Sequence, residues 1–261
     1  MRVAILCVFL ASGTLTFQVQ NNWKASVTPR ITNGKEAIPH SIPYQAYLII
    51  SLTAGGKSIC GGSLISPRHV LTAAHCLVDG SEVTIYLGAH NVSQPESNRL
   101  EVQSKNLIPH KDYNRNKISD DIGVVALDED VELNEYVNVV ALASRDAGNY
   151  EGDSVRISGW GHLHDKNDDT SQTLQEANTT VISNQQCKQA FSIVIDSEIC
   201  TLGSSGQGTC HGDSGGPLIV DNIQIGIASY TTDGCLSGYP SAYTRISSYL
   251  DWLEENTGLE F

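Results

Sequence analysis

Six short runs of strand-forming residues punctuate the chain: Ala46–Ser51, Val83–Leu87, Val124–Leu127, Val155–Ser158, Pro217–Val220 and Gln224–Ser229. Gly, Pro, Asn and Asp turns separate them, and no helical period lies between. That pattern predicts an all-β fold. Hydrophobic residues make up 40% and charged residues 17%, enough apolar surface for a sizeable core and too little charge for a disordered chain. The one helical signal is terminal. Ile246, Tyr249, Leu250 and Leu253 have i, i+3, i+4, i+7 spacing. Ser248 with Asp251 predicts a capping box, and Gly258 a stop.

The first residues set the compartment. Arg2 precedes an apolar run from Val3 to Ala11, and Ala11 and Gly13 are small residues at cleavage spacing. This predicts a secretory signal over 1–13, too short to span a bilayer. Of seven cysteines, Cys7 leaves with the signal. Cys60, Cys76, Cys187, Cys200, Cys210 and Cys235 remain, an even set that in an oxidising compartment predicts disulfides, with fifteen pairings open. Zinc is the competing use of cysteine, but no Cys-x-x-Cys pair is present. The net charge is −13; residues 1–30 hold Arg2, Lys24, Arg30 and no acid, which leaves −16 for the remainder. Such a surface repels nucleic acid and anionic membranes.

Gly212-Asp213-Ser214-Gly215-Gly216-Pro217 sets one serine among three glycines. Glycine lets a backbone turn sharply and lets a substrate approach its N–H groups. A serine hydroxyl needs a base to take its proton. The bland reading is a glycine-rich surface turn. Gly212-x-Ser214-x-Gly216 also matches the nucleophile elbow of α/β-hydrolases. Those enzymes need a histidine after the serine, and none follows Ser214. The subtilisin order needs an aspartate before the histidine, and none precedes His75. The order left is His…Asp…Ser.

Residues 14–30 are polar, lack cysteine and end in Pro29-Arg30, followed by Ile31-Thr32-Asn33-Gly34. With Thr72-Ala73-Ala74-His75-Cys76, Asp121-Ile122, Gly159-Trp160-Gly161 and Gly212 to Pro217, this resembles a zymogen of the chymotrypsin family of serine proteases over about residues 31–258. The resemblance implies two antiparallel six-stranded β-barrels, about 31–145 and 146–261, with the active site between them and a crossover near 140–150. It implies a propeptide over 14–30, cut after Arg30 by a trypsin-like protease and lost. The new Ile31 amine then pairs with a buried Asp213 and completes an oxyanion hole from the Gly212 and Ser214 N–H groups; before the cut Asp213 is held elsewhere. His75 is the implied base, Asp121 (rather than Asp120) the orienting acid and Ser214 the nucleophile. The implied disulfides are Cys60–Cys76, Cys187–Cys200 and Cys210–Cys235.

The same resemblance gives a substrate pocket from Gly208, Thr209, His211, Ser229, Tyr230, Thr231 and Ser241. Gly208 stands where trypsins carry the aspartate for basic P1 residues. Thr231 and Ser241 stand where trypsins and chymotrypsins have glycine, which predicts elastase-like cleavage after small or medium apolar residues. An aromatic preference is the alternative, because Tyr230 replaces a usual tryptophan and the alignment there can slip by one. Arthropod collagenolytic members share the overall pattern, so collagen joins the candidate substrates. Ala89 and Arg99 replace the glutamates of the family's calcium loop, and neither metal nor cofactor is expected. Asn91 and Asn178 head glycosylation sequons, and 162–171 reads as an exposed loop. Expected partners are protein or peptide substrates and protein protease inhibitors, for a secreted monomer. The other classes weighed are a catalytically dead binding homologue and a secreted structural or inhibitory disulfide protein. An intact triad order argues against both.

Overall fold

A computed structural model describes residues 34–162, 170–203, 208–232 and 238–261. The signal, the propeptide, Arg30, Ile31, Cys235 and most of the loop after His162 lie outside the described residues.

After β1 (Lys35–Glu36) come β2 (Gln45–Leu52), β3 (Lys57–Ser66), β4 (His69–Thr72), a single helical turn α1 (Ala74–Leu77), β5 (Gly80–Leu87), β6 (Leu100–Ser104), β7 (Asn106–Pro109) and β8 (Gly123–Ala126). Seven of these strands form one sheet in the order β6-β5-β2-β3-β4-β8-β7. Only Lys105 separates β6 from β7. They are one bent strand whose halves end the sheet, so the sheet closes into a barrel of six.

The second sheet takes β9 (Ala141–Leu142), β10 (Ser154–Gly159), β11 (Gln175–Ile182), β12 (Glu198–Thr201), β13 (Pro217–Val220), β14 (Ile223–Tyr230) and β15 (Ser241–Arg245), with α2 (Asn184–Cys187) before β12. Its order is β1-β11-β10-β13-β14-β15-β12, and β12 pairs back to β11. Six strands close here too. β1 is added at β11, and β9 runs parallel to β14. The chain therefore passes between sheets in the segment from Leu127 to Val140, ahead of the crossover expected near 140–150, because β9 already pairs with β14. The fold is the two-barrel, all-β architecture with a terminal helix that the resemblance implied.

Side-chain alternation explains the closure. In β5, Val83, Ile85 and Leu87 are fully buried, while Thr84 and Tyr86 between them are only half-buried. The register pairs Ala46 with Leu87, Leu48 with Ile85 and Ile50 with Val83, so apolar residues of both strands share the inner face. Leu48→Ala is expected to cost ~2–5 kcal/mol, read as a lower urea midpoint with an unchanged slope.

Strand β3 is absent from the six runs read in the sequence, and it carries Gly61 and Gly62. The structure gives their reason. A Cβ on Gly61 would lie 3.1 Å from the Gly216 Cα, and one on Gly62 would lie 3.0 Å from the Leu71 carbonyl. Gly61 is where the second barrel's serine loop crosses the first barrel.

The terminal helix α3 spans Leu250–Thr257 and ends at Gly258, in the left-handed region at φ 69°. The stop is as predicted; the capping box is not formed. Ile246–Ser248 is a 3₁₀ turn, so the helix begins later, and Tyr249 caps it without a side-chain bond. Asp251 instead pairs with Arg145, which also holds Glu254. Ile246, Tyr249, Leu250 and Leu253 pack into the first barrel's core, so the tail straps the two barrels together.

Candidate active site

The serine loop is tied to both barrels. The Gly61 N–H donates to the Ser214 carbonyl at 2.7 Å, and the Gly215 N–H to the Ala228 carbonyl at 2.8 Å. Gly212 and Gly215 have φ of 95° and 80°, a conformation that favours glycine. A Cβ on Gly215 would also lie 2.6 Å from the Gly61 carbonyl. The loop thus needs its glycines for curvature and for contact.

His75 and Asp121 come from neighbouring strands of the first barrel. β4 pairs with β8, Thr72 opposite Gly123. His75 follows the end of β4 and Asp121 precedes the start of β8, so both lie at one end of the pair. The Cys60–Cys76 disulfide pins the residue beside the histidine, and Cys76 Sγ lies 3.8 Å from the Ser214 carbonyl. Asp121 is 1% exposed. Its Oδ1 accepts the His75 backbone N–H at 2.9 Å, and its Oδ2 faces His75 Nδ1 at 2.8 Å. Ser229 Oγ donates to the same Oδ2 at 2.5 Å, and Thr244 Oγ1 to the Asp121 carbonyl at 2.7 Å. Bonding at Nδ1 orients the ring and leaves its other nitrogen for a proton transfer. Asp120, at φ 57°, turns away and accepts the Tyr249 hydroxyl at 3.1 Å.

Asp213 lies in a slot that only glycine permits. A Cβ on Gly161 would sit 2.5 Å from its carboxylate, and one on Gly159 would overlap it. The Gly161 and Cys210 N–H groups donate to its two oxygens at 2.8 and 3.0 Å. Burial pushes the carboxyl up to about 6 against the pull of those two N–H groups.

A cavity of about 180 Å³ opens beside Ser214 and is lined by Thr209, His211, Ser229, Tyr230 and Thr231 among others. Gly208 and Ser241 do not line it. Ser241 is 2% exposed and sits beside the buried Tyr243 phenol. Thr231 Oγ1 donates to the Pro240 carbonyl at 3.4 Å, which joins the two sides of the pocket mouth. A second cavity of about 440 Å³ flanks His75, with Tyr113, Ile118 and again Ser229 in its wall. Ser214 thus lines one hollow and His75 the other, and the two share Ser229. A larger cavity of about 640 Å³, around Leu100, Leu127 and Tyr136, contains none of them.

Sequence reasoning missed Glu198. It is 4% exposed and accepts the Tyr230 hydroxyl at 3.2 Å. Burial raises its carboxyl. The pair fixes the back of the pocket wall, and Phe191 packs edge-on against the Tyr230 ring. In sequence Glu198 is one acid among many, with no local signal.

In the 89–99 loop, Glu96 accepts the His90 and Asn91 N–H groups at 2.7 and 3.0 Å. The Arg99 guanidinium donates to the Gln94 carbonyl at 2.9 Å and lies over the Tyr86 ring. The loop is closed by its own side chains. Disulfides join Cys60 to Cys76 and Cys187 to Cys200; Cys210 is disulfide-bonded as well, and its expected partner Cys235 lies outside the described residues.

The family model described as "Trypsin" matches residues 31–253. A chymotrypsin of Phaedon cochleariae is 44% identical over 230 residues, 87% of this chain and 82% of the relative. A brachyurin of Leptuca pugilator is 40% identical over 88% of this chain and 99% of its own. A solved structure titled HL collagenase is 36% identical with a TM-score of 0.81, covering 88% of this chain and 99% of that one.

Proposed function

We propose, from the premise that the chain belongs to the trypsin family of serine proteases, that it is a secreted endopeptidase, made as a zymogen, with His75, Asp121 and Ser214 as its catalytic triad. The observation that carries this is the buried Asp121 carboxylate, bonded to the backbone N–H and the ring of His75, beside a cavity that holds Ser214. Ser214 Oγ attacks the scissile carbonyl carbon. His75 takes the serine proton and returns it to the leaving amine, and Asp121 holds the ring and balances its charge. The Gly212 and Ser214 N–H groups receive the oxyanion. Water then repeats the attack and frees the acid.

Activation is read as cleavage after Arg30. The new Ile31 amine supplies the cation that the buried Asp213 needs, and Asp213 in turn fixes the Gly212 N–H. The apolar start of the chain and the disulfides support an oxidising, secreted setting. Among the described residues no helix is long and apolar enough to cross a membrane.

The pocket supports cleavage after small or medium apolar residues. No side chain at Gly208 is available to pair with a basic P1 residue, whose burial would then be costly, and Thr231 occupies the wall. The aromatic alternative rests on Tyr230 in the pocket wall, and the solved structure named HL collagenase supports testing native collagen as a substrate.

A cleavage-site profile tests the reading. The secreted chain is treated with trypsin, the trypsin is removed, and new termini in a denatured protein mixture are sequenced by mass spectrometry. Cuts after Ala, Val or Leu, arising only once Ile31 is N-terminal, are expected. Cuts mainly after Phe and Tyr would select the aromatic alternative. No cuts, with no organophosphate labelling of Ser214, would leave a binding homologue.

A further inference from the structure

We infer that His162 and His211 form a two-histidine site for a transition-metal ion, with zinc as the model ligand, through which the metal reversibly inhibits the enzyme. The two residues are distant in sequence and held together by the backbone. Gly161 and Gly212, each adjoining one of the histidines, pack so closely that a Cβ on Gly212 would lie 3.1 Å from the Gly161 Cα. The His162 N–H donates to the His211 carbonyl at 2.7 Å, and His162 bridges to Thr170 on its other side. Both side chains therefore start from fixed positions.

The ring centroids are 5.7 Å apart and the planes are inclined by 68°. A zinc–nitrogen bond of about 2.0–2.1 Å puts the ion roughly 3 Å from each centroid. Two rings sharing one tetrahedral ion then stand roughly 5–6 Å apart, so the observed spacing needs only side-chain rotation. His211 is exposed and His162 half-buried, so the ring edges are open to solvent. Imidazole suits zinc and copper, and the net charge of −13 draws cations to the protein.

Two protein ligands leave two positions of a tetrahedral ion open. That describes an exchangeable, regulatory site rather than a resident cofactor. His211 also lines the cavity that contains Ser214 and precedes Gly212. An ion there occupies the rim that a substrate must cross. The grouping of three metal-ligating residues among the described residues, Cys60, His75 and Cys76, offers no thiolate, because its sulfurs are joined to each other.

The binding half is independent of the triad assignment; the inhibition half rests on it. Zinc binding is therefore measured by calorimetry on the chelator-treated Ser214→Ala chain, and inhibition on the activated enzyme. One zinc per chain is expected. Its Kd should rise more than about ten-fold in His162→Gln and in His211→Gln, and stay unchanged in His75→Ala. In the activated enzyme, His162→Gln should keep its turnover and lose zinc inhibition. Zinc binding that survives both glutamine variants, or disappears in His75→Ala, overturns the site. Binding with the expected dependences but no loss of turnover overturns the inhibition.

Discussion

Replacing Asp121 with asparagine will lower kcat about ten-thousand-fold and leave KM within a few-fold. The carboxylate uses its two oxygens separately, Oδ1 for the His75 backbone N–H and Oδ2 for His75 Nδ1 and Ser229 Oγ. An amide has one oxygen and one NH₂. With the oxygen on the backbone N–H, the NH₂ faces Nδ1 and forces the ring proton onto the nitrogen that must act as base. With the oxygen on Nδ1, an N–H meets an N–H and the histidine backbone is displaced. Either way the fold survives and the base does not. Asp120→Asn is the control. It removes the charge that faces Tyr249 and touches no reacting group, so turnover should stay within about two-fold. Ser229→Ala lies between, because it removes one charge-assisted bond worth about 1.5–3 kcal/mol if fully expressed in the transition state. Active-site titration with a stoichiometric inhibitor corrects for misfolded enzyme. Retained turnover in Asp121→Asn, with loss in Asp120→Asn, would reverse the assignment.

Asp121 was preferred to Asp120 because the motif that carries the family resemblance puts the acid directly before an apolar strand, and β8 begins at Gly123. Ser229 and Thr244, which complete its surroundings, were not legible as its partners. They lie 108 and 123 residues away and arrive from the second barrel, so the contact exists only after both barrels close. Glu198 was silent for the same reason. Periodicity located the terminal helix but not where it packs, and its cap failed because the first periodic residue, Ile246, belongs to a 3₁₀ turn. The pocket was half legible. Counting from Ser214 located Thr209 and His211, since the disulfide-bonded Cys210 between them keeps the loop in register. Ser241 was counted from across a gap; it is buried beside the Tyr243 phenol, which also bonds Thr209 of the cavity wall.

The second large effect concerns Asp213. In chains cut after Arg30, Asp213→Asn and Gly161→Ala should each lower kcat about 10²–10³-fold, the worth of one oxyanion-hole donor. The two variants injure the same contact from opposite sides. Asparagine keeps the shape and removes the charge that the Ile31 amine is proposed to meet. Alanine keeps the charge and fills the slot, its Cβ 2.5 Å from the carboxylate. The uncut Arg30→Gln chain tests the expectation that Asp213 is held elsewhere before cleavage: with the carboxylate on the Gly161 and Cys210 N–H groups and no amine beside it, its proton affinity becomes a stability term. The carboxyl is raised from 3.8 to about 6, so between those values the folded chain binds more protons than the unfolded one. Stability from this group is therefore greatest below about pH 4 and falls as the pH rises through about 6. The loss is on the order of 3 kcal/mol. Urea midpoints of Arg30→Gln and Arg30→Gln/Asp213→Asn, compared from pH 4 to pH 7, isolate it from the other titrating groups. The single variant should lose ground to the double variant as pH rises, and the cut wild-type chain should not. A pH-independent gap between the two variants would mean that Asp213 ionises in the uncut chain at no cost. It would then lie outside its slot until cleavage, which makes the switch a movement of the carboxylate rather than a neutralisation of it in place.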